Sequence, residues 1–366
     1  MNIERKLRAG IIGATGMVGQ RFLTLLENHP FFEVTALAAS GHSAGQRYTD
    51  AVQGRWKLAT PIPAYAKDMV IYNAEEDIDT LRSLVDFVFC AVNMKKEDIQ
   101  KLEERYAKAE IPVVSNNSAH RATPDVPMVI PEINADHFSI ITQQRNRLGT
   151  KYGFIAVKPN CSIQSYVPAL TPLLQYVPTE VVVTTYQAIS GAGKTFHEWP
   201  QMQDNVIPYI GGEEEKSEQE PLKIWGHIQD NTIIQTEMPL ITSQCIRVPV
   251  TDGHLACVFV RFRHKPVREQ ILRAWAEYKG MPQIYALPSA PKQFLTYFEE
   301  PDRPQTRLDR DLEGGMGIAL GRLREDTLFD YKFVGISHNT IRGAAGGAVL
   351  EAEALTALGY LKSTAE

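Results

Sequence analysis

A chain of 366 residues, 44% hydrophobic and 22% charged, outgrows a single hydrophobic core, which stops enlarging at about 250–300 residues, and so predicts two joined domains. Its net charge of −5 argues against nucleic acid as a partner. Met1–Gly10 carries three basic residues, but the apolar stretch after it is interrupted by glycines and lacks signal-peptide character, and the longest apolar runs, such as Val85–Val92, fall far short of the roughly 20 residues of a membrane span.

Leu7–Ile12 reads as a short apolar strand, Gly13-Ala14-Thr15-Gly16-Met17-Val18-Gly19 as a turn, and Gln20–Glu27 as an amphipathic helix. In that order, glycine lets the backbone approach a pyrophosphate while the helix N-terminus supplies N–H groups to hold it. A GxxGxxG alone is equally a tight strand-to-helix turn; its position between strand and helix favours a dinucleotide site. A second strand, Glu33–Ala39, ends in Ser40-Gly41-His42-Ser43. An acid there would hold a ribose 2′-OH, whereas small hydroxyl residues leave room for a 2′-phosphate, which favours NADP over NAD. Strands at Phe87–Ala91 and Pro112–Ser115 flank a charged helix, Lys95–Ala109, and continue the doubly wound pattern. Asn93 and the stretch Ser115-Asn116-Asn117-Ser118-Ala119-His120-Arg121 then fall just past strand ends, where open α/β sheets bind ligands. Arg121 is an anion contact or a surface arginine of a polar loop.

Lys158-Pro159-Asn160-Cys161-Ser162 places a thiol at a turn ahead of a helix-like run, where unpaired N–H groups and the helix dipole stabilise thiolate. The alternative is a small buried hydrophobe. The four cysteines, at 90, 161, 245 and 257, show no CxxC or metal spacing, so free thiols in a reducing cytoplasm are expected. Pro168 and Pro172 should kink or shorten the helix of Ser162–Tyr176. A β-branched run, Val181–Tyr186, precedes Gln187-Ala188-Ile189-Ser190-Gly191-Ala192-Gly193-Lys194-Thr195, which imitates a phosphate loop except that Ala188 stands where its first glycine belongs. Glu213-Glu214-Glu215-Lys216 has the look of a solvated charge run. A strand around Arg247-Val248-Pro249-Val250-Thr251-Asp252-Gly253-His254 is followed by a second, Leu255–Phe262, with His254 at its start, either a base of near-neutral pKa or a hydrogen-bonded structural residue. Glu299–Glu313 reads as a surface excursion, Phe329–Gly335 as a strand, and Asn339 to Gly347 as the approach to a closing helix, Ala348–Leu361.

The ordered set GATGMVG, SNNSAHR, PNCS, QAISGAGKTF, GGEEEK, RVPVTDGH and NTIRGAAG resembles the aspartate-semialdehyde dehydrogenases, in the branch typical of archaea, fungi and some bacteria, from about residue 7 to about residue 350. The resemblance implies an α/β protein with a Rossmann-like NADP-binding domain, residues 1–158 with 337–366, and a mixed α+β catalytic and dimerisation domain, residues 159–336. It implies Cys161 as nucleophile and thioester carrier, His254 as general acid/base, Gln187, Glu213 and Arg247 as substrate contacts, and Arg121 and Lys216 as phosphate contacts. NADP would contact Gly13, Thr15, Gly16, Met17, Val18, Ser40, Ser43, Asn93, Ser190, Gly191 and Asn339, with no metal. The implied reaction is NADPH-dependent conversion of L-4-aspartyl phosphate to L-aspartate 4-semialdehyde and phosphate, in lysine, threonine and methionine synthesis, by a cytoplasmic homodimer or homotetramer. Many members continue NCS with threonine where Ile163 stands here, a change in packing behind the thiol. A related acyl reductase, or a silent NADP-binding regulator with a redox thiol, are the competing readings.

Overall fold

The computed structural model describes residues 5–363; residues 1–4 and 364–366 of the expected domain spans lie outside the described residues. The glycine turn is the hub of the first half. Strand β1 (Leu7–Ile12) enters it and helix α1 (Met17–Leu25) leaves it. The following strands are β2 (Phe32–Ala39), β3 (Ile71–Asn73), β4 (Phe87–Cys90), β5 (Val113–Ser115) and β6 (Ile155–Val157), with α2 (Lys96–Lys108) between β4 and β5. All pair in parallel in the order β3-β2-β1-β4-β5-β6, the doubly wound order that reverses at β1 and opens a crevice at the strands' carboxyl ends. Strands β1, β4, β5 and β6 are almost continuously buried, as parallel strands covered on both faces must be.

The second half is built differently. Strand β7 (Pro178–Gln187), a small hairpin of β8 (His227–Gln229) and β9 (Thr232–Ile234), then β10 (Leu240–Arg247), β11 (His254–Phe262), β12 (Leu295–Phe298), β13 (Ile318–Glu325) and β14 (Tyr331–Ser337) follow in sequence. Apart from the hairpin they form one mixed sheet, β10-β7-β11-β14-β13-β12, with β10/β7 and β12/β13 parallel and the rest antiparallel. Burial alternates along β7 and β11, the period of a sheet with one face on a core. Helix α3 (Glu213–Ile224) lies against β10. The last helix, α4 (Gly346–Ala357), returns to the first half, where Ala348, Val349, Leu350 and Leu355 join the cluster of Ile11, Phe22 and Phe89.

Most expected strands were found within a few residues, β14 ending at Ser337; the strand expected around Arg247–His254 is instead the end of β10 at Arg247 followed by a turn that leads into β11. The expected kinked helix of Ser162–Tyr176 is instead three short pieces, Ser162–Ser165, Val167–Leu170 and Thr171–Tyr176, of which only the middle one is α-helical. Pro168 and Pro172 each open a piece, where their missing N–H costs nothing.

Candidate active site

Strand register gathers the candidate residues. Parallel pairing of β7 with β10 sets Gln187 beside Arg247, the last residue of each, and antiparallel pairing of β11 with β14 sets His254, the first of one, opposite Ser337, the last of the other. Four strand ends therefore share one edge of the mixed sheet. Cys161, four residues past β6, meets that edge with its sulfur 3.4 Å from His254 Nε2.

The turn that carries Cys161 is held by its neighbour. Asn160 Oδ1 accepts from the Ser162 N–H and hydroxyl, both at 2.7 Å, closing an Asx turn around the cysteine. The element after it is a four-residue 3₁₀ turn, so the extended helix dipole expected to stabilise the thiolate is not built. Burial pushes the thiol up to about 11, opposed by the charges of Lys158, Arg121 and Arg247. Ile163 lies in the hydrophobic core.

His254 is buried, and its Nδ1 accepts the Ala188 N–H at 3.0 Å. The neutral ring then carries its proton on Nε2 and directs it at the sulfur. Burial, with the charge of Arg247 next, drives this histidine down to about 3. The near-neutral pKa that recommends a histidine as base is therefore absent, and an imidazolium would set an Nδ1–H against the Ala188 N–H.

The charge run at residues 213–216 is not a solvated surface. It is the first turn of α3, and Glu213 is 8% exposed. Its carboxylate accepts from Asn160 Nδ2 at 3.0 Å, Gln187 Nε2 at 3.1 Å and Lys216 Nζ at 2.8 Å. Burial opposes the charge, yet Lys216 and these hydrogen bonds hold its pKa below the usual carboxylate range. Arg247 is also buried; its Nη1 donates to the Ala188 carbonyl at 2.6 Å, so one residue braces both Arg247 and His254. Arg121 donates to the Lys158 carbonyl, Glu220 and the Asn116 carbonyl at 3.0, 2.9 and 3.2 Å. Three of its five N–H groups are thus engaged and two remain for an anion.

A cleft of about 370 Å³ runs between the two halves and is lined by Cys161, Glu213, Lys216, Arg121, Asn160 and Gly343, and also by Val18, Asn93, Ser190, Gly191 and Asn339. Asn339 ties the cleft wall together: Nδ2 donates to Ser190 Oγ at 2.8 Å and Oδ1 accepts the Gly253 N–H at 2.8 Å. Gln187, Arg247 and His254 stand behind this lining. Gly13, Thr15, Gly16, Met17, Ser40 and Ser43 also lie outside it, Gly13 being bonded to the end of β2 through the Ala38 carbonyl at 2.8 Å. Ser40 is exposed there and Ser43 is 2% exposed, so only Ser40 offers its side chain freely.

The glycine turn fits a dinucleotide. Gly13 has φ +89°, and a Cβ there would stand 2.3 Å from the Ala91 carbonyl oxygen; one at Gly19 would stand 2.3 Å from that of Gly13. Neither tolerates a side chain. Gly16, at the start of α1, has nothing within 3.4 Å of a built Cβ, so its bareness serves no packing and leaves the backbone open to a phosphate.

Sequence reasoning missed Asn160, Glu220 and Lys223. Glu213, Ser217, Glu220 and Ile224 recur at helical spacing, a signal that the two acids share one face, and Glu220 accepts the Asn160 N–H at 2.6 Å while pairing Arg121. Lys223 anchors the same helix through the carbonyls of Arg121, Thr123 and Val126 at 2.7, 2.8 and 3.0 Å.

Two family descriptions match the chain: a semialdehyde dehydrogenase NAD-binding domain over residues 8–141 and a semialdehyde dehydrogenase dimerisation domain over residues 170–342. The aspartate-semialdehyde dehydrogenase of Aspergillus fumigatus is 41% identical, covering 97% of this chain and 99% of that protein. The enzyme of the same name from Methanothermobacter thermautotrophicus is 41% identical over 95% and 98%. Among solved structures, the Candida albicans aspartate semialdehyde dehydrogenase with NADP superposes with a TM-score of 0.86 at 38% identity, covering 97% of this chain and all of that one.

Proposed function

The chain belongs to the aspartate-semialdehyde dehydrogenase family, and we propose that it reduces L-4-aspartyl phosphate to L-aspartate 4-semialdehyde and phosphate through a thioester on Cys161. The reading extends to a homodimer or homotetramer in the cytoplasm, serving lysine, threonine and methionine synthesis, with residues 1–158 and 337–366 as the nucleotide domain and 159–336 as the catalytic one. The observation that carries it is the Cys161–His254 contact of 3.4 Å on a cleft shared by Arg121, Lys216 and the end of the glycine-bearing sheet.

The chemistry follows from the residues. An acyl phosphate is an activated acid, so Cys161 can expel phosphate and keep the acyl group as a thioester, a better hydride acceptor than a carboxylate. Arg121 and Lys216 supply charge for the doubly anionic leaving group. NADPH, held by the Gly13–Gly19 turn and the Asn93, Ser190 and Asn339 side of the cleft, supplies the hydride when bound. His254 serves as a neutral donor: its Nε2–H stabilises thiolate and then polarises the acyl oxygen, the use made of a neutral imidazole when its other nitrogen is blocked. Glu213 and Gln187 form a polar pair for the substrate's ammonium group, and Arg247 provides a guanidinium for its α-carboxylate, features that an acyl reductase for other substrates would not need.

Phosphate-dependent reduction of NADP with aspartate semialdehyde, N-acetylglutamate semialdehyde and CoA-dependent acyl substrates offered in parallel tests the reading. Turnover is expected with the first alone. Turnover with either of the others, or with none, overturns the substrate assignment.

A further inference from the structure

Three residues before the nucleophile stands a buried lysine that the proposed mechanism does not use. Lys158 is 2% exposed, and its Nζ donates to the Pro159 carbonyl at 3.1 Å. Its stem lies on α4: a Cβ built on Gly347 would stand 2.4 Å from Lys158 Cε. The turn just ahead of α4 packs on the nucleophile's residue, since a Cβ on Gly343 would stand 2.7 Å from Cys161 Cβ. Glu351 follows Gly347 by one helical turn and shares its face. It is fully buried, and among the described residues neither carboxyl oxygen has a hydrogen-bond partner. Lys158, Gln164 and Arg342 line one narrow void between β6 and α4, too small for water, and Gln164 Nε2 likewise has no partner among the described residues.

We propose that Lys158 is a positioning residue that supplies, from behind, the counter-charge for a Cys161 thiolate, with Glu351 kept as a neutral acid so that this charge is not cancelled. The inference rests on Cys161 as the nucleophile of the reading above. An unpaired, fully buried carboxylate is the costlier form of Glu351, and burial accordingly raises its pKa well above the carboxylate range, opposed by Lys158. Burial brings Lys158 itself down to about 7, with the facing charges of Cys161, Arg121, Arg342 and Glu351 acting after it. Arg342 is already consumed by Glu132, which it grips at 2.8 and 2.5 Å. Around the thiol, Arg121 and Arg247 stay cationic at ordinary pH, Glu213 is held anionic and His254 neutral. Lys158 is therefore the neighbour of Cys161 that changes charge between about pH 6 and pH 9.

That gives the device a signature which a purely structural lysine lacks. While Lys158 is protonated it favours the thiolate; as pH rises past its pKa the help disappears. The test is the rate of iodoacetamide alkylation of the Cys161 peptide, followed by mass spectrometry across this range, in wild type, Lys158→Met and Glu351→Gln. No substrate is needed, so the result is independent of whether the substrate assignment holds. Wild type should react about tenfold faster than Lys158→Met at about pH 6, one unit of thiol pKa, and the ratio should fall toward one by about pH 9. Glu351→Gln, which copies the neutral acid, should stay within about twofold of wild type at the acid end. A ratio of one at the acid end, a ratio that does not change with pH, or a Glu351→Gln rate well above wild type overturns the proposal. Should Lys158→Met fail to fold, Lys158→Met/Glu351→Leu removes both polar ends and is read against the same expectation.

Discussion

The two sheets meet the cleft in opposite ways. The parallel sheet offers backbone: at its edge the Gly13–Gly19 turn is bare, and among its expected contacts the exposed side chain at the end of β2 is a serine. The mixed sheet offers side chains: Gln187, Arg247 and His254 stand on its strand ends, buried and hydrogen-bonded to one another's supports. A backbone site depends on shape, so it responds to what is added. A side-chain site depends on particular atoms and charges, so it responds to what is removed, and by more, because each loss leaves a buried partner unsatisfied.

The largest effect should come from Cys161→Ala. With no covalent handle, turnover should fall by at least about 10⁴-fold while NADPH binding by calorimetry is kept. Mass spectrometry of wild type mixed with aspartyl phosphate alone should show an acyl adduct on the Cys161 peptide; an adduct on Cys90, Cys245 or Cys257 would break the contrast, since Cys161 is the cysteine that lines the cleft.

His254→Asn should follow, losing about 10²–10⁴ in kcat. The pH profile distinguishes its role. A base titrating near neutrality would take an inflection with it when removed, but His254 is held down at about 3 by burial, so it is neutral on both sides of pH 7. The variant should therefore keep the shape of the wild-type profile between about pH 6 and 9 and lose only height. Disappearance of a limb near neutrality would restore the acid/base role.

Removing a charge at the anion contacts comes next, at about 2–5 kcal/mol where the partner charge is left desolvated. Lys216→Met strips the nearest cation from Glu213 and should chiefly weaken phosphate use in the oxidative direction, whereas Arg247→Leu should weaken semialdehyde binding. If both raised only the KM for NADP, the mixed sheet would be serving the cofactor rather than the substrate.

The same contrast explains what was legible beforehand. The glycine turn is local, with all its parts within seven residues of sequence, and both flanking elements were readable from the periodicity around it. Cys161 stood out for its turn, but the helix expected behind it is broken, because prolines that open short segments prevent one long one. Glu213 was unreadable from composition: a run of acids looks solvated until a tertiary fold buries one of them against Asn160 and Gln187. The pKa of His254 was equally hidden, because it depends on burial in the tertiary fold and on the charge of Arg247 brought beside it. Short strands such as β3, β6 and β12 went unseen because three or four residues carry no period, whereas β4 and β5, equally short, were marked by the charged helix between them.

On the backbone side the expected effect is smaller. Without an acid at the end of β2, NADPH should bind at least about tenfold tighter than NADH, about 1.4 kcal/mol. Since Ser40 is exposed and Ser43 turned inward, Ser40→Asp should erase that preference by weakening NADPH, whereas Ser43→Ala should leave it largely intact. Equal dissociation constants for the two cofactors in wild type would show that the loop does not read the 2′-phosphate.

The smallest effect belongs to the tie between the two sides. Lys57, in the first half, donates to the Gly193 carbonyl at 2.7 Å and pairs with Glu198 at 2.8 Å, fastening the loop that follows β7. Its side chain is 21% exposed and that of Glu198 41%, so water and salt screen the pair and it is worth no more than about 1 kcal/mol. Lys57→Ala should therefore raise the KM for NADPH less than about fivefold, with kcat unchanged, and the difference should shrink as salt is added. Ser190 and Gly191 reach the cleft from the same loop, yet Ser190 is held independently by Asn339, which is why loosening the outer tie should leave the chemistry alone. A tenfold or larger fall in kcat would mean that closure of this loop is part of the catalytic step, and that the backbone side and the side-chain side do not act separately.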